Sequence, residues 1–172
     1  NIDAKPKASE SLDILLISTE GQKDMAVYRD LDVIKKDFPG ESGEGAAVYK
    51  MAAAMFNQGQ TSLADTLIRK VKIAGIAPPE DSAAMVGAIE GLRELDDDFY
   101  MVLTDKYEDD YVKALAAWAE STEPTETELG AGIEDHRRIY VGQTNNKELV
   151  CTNRRSSIMY TDKPEERPDA AY

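Results

Sequence analysis

Hydrophobic residues in this chain come as short continuous runs and as helical stripes, in alternation, with glycine, proline and acidic punctuation between them. Residues 13–18 (DILLIS) are an apolar run between polar flanks, the pattern of a strand covered on both faces. Beyond Glu20-Gly21, Asp30 is placed to cap a helix carrying Val33, Ile34 and Phe38, which Pro39-Gly40 ends. A glycine-rich link, residues 40–45, leads to Val48, Met51, Ala52, Met55 and Phe56, spaced as one face of a second helix that Gly59 closes. Residues 66–76 (TLIRKVKIAGI) alternate and predict a strand with a wetter face. Pro78-Pro79 marks the break before a third helix. Glu80 and Asp81 sit where its dipole favours negative charge, and Met85, Ile89 and Leu92 form its inner stripe. Residues 99–104 (FYMVLT) predict a third, most central strand. Residues 109–121 predict a fourth helix, with Tyr111, Leu115 and Trp118 on one stripe and Val112, Ala116 and Ala119 on the next. The Thr-, Glu- and Gly-rich residues 122–134 read as a solvated loop. Two short strands, 139–144 and 157–161, follow, with Leu149, Val150 and Cys151 between them.

The predicted order is strand, two helices, strand, helix, strand, helix, strand, strand. Strands separated by helices imply an α/β fold: a mostly parallel sheet of four to five strands with helices on both faces. At 172 residues the chain fits a single domain, residues 1–172, able to fold without a disulfide or metal staple. Its start at Asn1 and its stop after a Pro-Asp-Ala-Ala stretch raise the expectation of a piece of a longer chain.

Charge narrows the partners. Twenty Lys and Arg against 33 Asp and Glu give a net charge of −13, a field that repels phosphate backbones and anionic lipid, so neither nucleic acid nor membrane is expected as a partner. No apolar run approaches the length of a membrane span. The single cysteine, Cys151, cannot form an internal disulfide, as expected of a chain made in a cytosol.

Catalytic chemistry finds little support. The one histidine, His136, stands in a charged run without a serine elbow elsewhere, and one His with one Cys cannot make a zinc site. The cluster Gly40-Glu-Ser-Gly43-Glu-Gly45 fits neither phosphate-binding fingerprint and carries two glutamates. Asp96, Asp97 and Asp98 lack the alternation of a calcium loop and read as a solvated turn. No cofactor, metal or catalytic residue is therefore expected. If the fold hosted a small hydrolase or a nucleotide-binding site, the strand ends would supply Ser18, Thr19, Asp105 and Thr144, with no base beside them. A receiver-like interaction module is the third option, supported by Asp105 at a strand end and weakened by the missing acidic pair after the first strand. The basic pairs Arg137-Arg138 and Arg154-Arg155 stand out on an acidic chain. They are candidates for contact with acidic faces of neighbouring copies.

Five segments in order resemble the contractile-tail sheath proteins of bacteriophages. The first is residues 28–57, with Tyr28, Leu31, Val33, the pair Asp37-Phe38 and the helix Val48-Tyr49-Lys50-Met51-Ala52-Ala53-Ala54-Met55-Phe56. Residues 68–76 form the second. The third joins residues 98–105 (DFYMVLTD) to residues 114–120 (ALAAWAE). Residues 139–144 are the fourth, and residues 157–160 leading to 167–172 (RPDAAY) the fifth. The resemblance implies a structural role: copies stack as helical rings around a tail tube and contract to drive it into a host. It implies no enzyme activity, a homo-oligomer in the virion tail assembled in the bacterial cytoplasm, and further contacts with tube and baseplate. Here the chain would be the compact sheath core, without the large inserted domain, the N-terminal arm or the C-terminal domain of relatives.

Overall fold

A computed structural model describes residues 14–39, 46–57, 71–121, 138–149 and 152–164. Ten elements follow one another: β1 (Ile14–Ser18), β2 (Lys23–Tyr28), α1 (Leu31–Asp37), α2 (Ala46–Asn57), β3 (Val71–Gly75), α3 (Ser82–Leu95), β4 (Met101–Thr104), α4 (Asp109–Ser121), β5 (Ile139–Thr144) and β6 (Ser156–Tyr160). The strands form one sheet in the order β2-β3-β1-β4-β5-β6. All neighbours pair in parallel except β2, which runs antiparallel to β3.

The fold is α/β, as the alternation of elements predicts, but the sheet has six strands rather than four or five. The extra strand is β2. Its sequence, KDMAVY, joins a charged start to the short apolar run Met25-Ala26-Val27-Tyr28, of which only Tyr28 is buried, and its pairing with β3 shifts register between Lys23 and Ala26. Tertiary contacts hold it. Tyr28 is buried, meets the Phe38 ring edge-on at 6.1 Å, and donates its hydroxyl to Asp37 Oδ2 at 2.7 Å. Lys23 reaches the same carboxylate at 2.8 Å. The Lys23 and Tyr28 bonds keep the Asp37 carboxyl below the usual range, while burial and then Asp37 hold the Tyr28 phenol well above its own.

β1 shows how the sequence builds two cores. Ile14 and Leu16 enter the cluster under α1 and α2, while Leu15 and Ile17 enter the one under α3 and α4. A period-2 backbone puts alternate residues on opposite faces, so an unbroken apolar run is what a doubly covered strand requires. Most of the helix stripes land as predicted, with Val48, Met51, Ala52 and Met55 buried on one side and Met85, Ile89, Val112, Leu115, Ala116 and Trp118 on the other, but Val33, expected on the inner face of α1, is exposed and Leu92 is half-buried. Asp30 and Asp81 cap α1 and α3 by accepting from Asp32 N and Ala84 N.

At β3 the expected wetter face is absent. All five residues are buried, and Lys72 is only 7% exposed. Its ammonium bonds Asp96 Oδ1 at 2.8 Å and the Asp98 carbonyl, so the aspartate run after α3 serves as its counter-charge. Burial works against ionisation of Asp96, yet Lys72 and the Asp98 N–H hold its carboxyl below the usual value. A buried lysine cannot be told from a solvated one by sequence period alone. Residues 66–70 of the predicted strand, the loop at 122–134 and Gly59 lie outside the described residues.

Candidate functional site

Without β2, the parallel strands run in the order second, first, third, fourth, fifth. In such a sheet the chain leaves β1 in one direction and returns on its other side at β4, and the crevice at the carboxyl ends of these two strands is where ligands bind. Ser18 and Thr19 end β1, Thr104 and Asp105 end β4, and Thr144 ends β5. The structure therefore gathers the polar residues named from sequence along one edge.

Their geometry ties the edge together. Asp105 Oδ2 accepts the Thr19 N–H at 2.9 Å, and its Oδ1 accepts the Thr19 hydroxyl at 2.8 Å. The Thr104 hydroxyl lies 3.4 Å from the same Oδ1. Burial pushes the Asp105 carboxyl up to about 6; the two Thr19 bonds and Lys106 counter it, and Glu20 adds to it. Beside this pair, Asp109 in the first turn of α4 accepts from the Thr144 hydroxyl at 3.3 Å and from Asn146 Nδ2 at 2.5 Å. Each carboxylate thus clasps the loop of another strand. Both Asp105 oxygens are engaged by one threonine, which makes the residue a latch across the crevice rather than a base aimed into it.

Neither link was foreseen, although Thr19 and Asp105 were both singled out. The partners are 86 residues apart in sequence, and nothing in either local pattern announces the other. Among the described residues, no three His, Cys, Asp or Glu side chains come together as a metal ion would need, and no helix is long and apolar enough to cross a membrane.

The basic pairs divide. Arg138 is a core residue with no exposed surface: its guanidinium stacks 4.9 Å from the centre of the Phe99 ring and donates to the Asp97 carbonyl at 2.8 Å. Burial, and then the Arg93 charge, push it down to about 10. Arg138 must therefore be withdrawn as a residue for contact between copies. The acidic α3–β4 turn draws it inward, as it does Lys72. Arg155 is half-buried, its guanidinium donating to the Ala119 carbonyl at the end of α4 at 3.4 Å. Arg154 is exposed, and its backbone N–H donates to Glu120 Oε2 at 2.8 Å. Arg137, His136, Cys151 and the glycine cluster at 40–45 lie outside the described residues.

A broad concavity lies elsewhere, between α3 and the β2 edge. It is a groove of about 1070 Å³ whose walls include Met25, Ile76, Pro78, Ala88, Leu92 and Leu95. Compared with family models and with curated proteins, the chain matches none.

Proposed function

We propose that this chain is the core of a contractile-tail sheath subunit, a stiff structural body that stacks with copies of itself around a tail tube. The carrying observation is the order of the five resembling segments, which also supply much of the body: α1 and α2, β3, β4 with most of α4, β5 and β6, with β1 and α3 outside them. Contraction needs subunits that move as units and re-pack, and a sheet covered on both faces resists deformation because close-packed interiors do not flex continuously. The latches at the carboxyl edge support the same reading. Asp105 and Asp109 spend their oxygens on neighbouring loops, where a catalytic carboxylate would point toward substrate.

The tube and baseplate are the further partners this reading implies, in a virion tail assembled in a bacterial cytoplasm. The rival reading, a small enzyme or nucleotide-binding domain, needs the crevice between β1 and β4 to open. Electron microscopy of the purified protein separates the two. Striated helical tubes are the expected result; persistent monomers that bind a nucleotide at the carboxyl edge overturn it.

A further inference from the structure

Six large apolar side chains are exposed among the described residues, and their placement is uneven. Val27 and Leu95 lie at the β2 end of the sheet, and Met159 and Tyr160 lie on β6 at the other end. Only Val33, on α1, and Tyr100 fall elsewhere. Scattered single apolar residues need no explanation, but apolar residues collected at two strand edges do, because such edges also present unpaired backbone N–H and C=O groups.

The two ends differ in charge. Around the β2 edge, Asp24, Asp30, Glu80, Asp81 and Asp96 outnumber Lys23, Arg29 and Lys72, the last of which pairs with Asp96, and Asp24, Glu80 and Asp96 line the groove. Around β6, Lys147, Arg154, Arg155 and Lys163 outnumber Glu120, Glu148 and Asp162. Pairing two β6 edges would bring basic groups together, and pairing two β2 edges would bring acidic groups together. Only the unlike pairing is electrostatically complementary.

Strand direction and face agree with that pairing. β6 runs with the sheet and β2 against it, so a sheet continued from one copy into the next in the same sense makes an antiparallel pair, the more stable kind. Tyr160 shares its parity with Ile158, which packs on the α3–α4 core, and Val27 pairs with Lys72 on that same face. Both exposed side chains therefore fall on the groove side of a continued sheet.

We infer that the β6 edge of one copy docks on the β2 edge and groove of the next, so that copies join head to tail. Such an interface is heterologous and does not close on itself unless its rotation happens to, which generates an extended row of subunits. The inference rests on the assembly reading above and specifies one of its contacts.

Thiol cross-linking in the assembled full-length protein tests it. In a Cys151→Ser background, V27C/Y160C, whose two positions share the groove face, is treated with a short bismaleimide, alongside each single-cysteine variant. The double variant yields a ladder of multimers, because every copy carries both halves of the contact, whereas the single variants stop at monomer. In parallel, R154E raises the concentration needed for assembly about tenfold, and D24R added to it restores assembly toward the original value. Striated tubes without a ladder overturn this contact and leave the sheath reading standing. Monomers at every concentration overturn both. A ladder unaffected by either charge change overturns the electrostatic selection of partners.

Discussion

Asp105 shows how one residue's setting changes what it can do. Its carboxyl titrates near 6 in the folded protein against 3.8 when unperturbed, so between those values the folded state holds more protons than the unfolded one. Stability contributed by this group is full below pH 3.8 and is lost as pH rises through 6. The difference amounts to about 3 kcal/mol. Urea unfolding of the wild-type chain and Asp105→Asn at pH 4 and pH 7 checks this: the variant loses less stability over the interval. Asp37 and Asp96, with lowered values, act in the opposite sense and only in the more acidic range, so they do not mask the comparison. An equal slope in both proteins would remove Asp105 as the source.

Among the elements, the helices owe their ends to local chemistry and their places to packing. Asp81 caps α3 through a 2.8 Å bond from Ala84 N, and Asp81→Ala costs about 1 kcal/mol, read as a lower thermal midpoint with unchanged far-ultraviolet circular dichroism. The cap at Asp30, the favourable charge of Asp81 at the start of α3, most of the amphipathic stripes and the doubly apolar β1 were legible, because each is a regularity within a few neighbouring residues. β2 was not. Its hold depends on Tyr28 finding Asp37 and Phe38, and on Gly75, where an added Cβ would strike the backbone of Gly21 and Lys23. The buried state of Lys72 was hidden for the same reason.

In the whole molecule, Arg138 and Arg154, one from each basic pair, have separable roles. Arg138→Ala removes a buried stack on Phe99 and a bond to Asp97, so it lowers the unfolding midpoint and leaves the assembly threshold of the folded fraction unchanged. Arg154→Ala does the reverse, with stability within about 0.5 kcal/mol of wild type and weaker assembly. Sedimentation beside thermal unfolding distinguishes them; a fall in both properties for Arg154→Ala would place that side chain in the fold.

The amino-acid sequence by itself determined the class of fold, the faces of the helices and the two central strands, since these follow from period and punctuation along the chain. Tertiary structure alone decided that an antiparallel strand extends the sheet, that Lys72 and Arg138 turn inward, and that Thr19 closes on Asp105. Those outcomes depend on groups dozens of residues apart meeting in a low-dielectric setting, where an unpaired charge or donor is costly and a partner must be found across space.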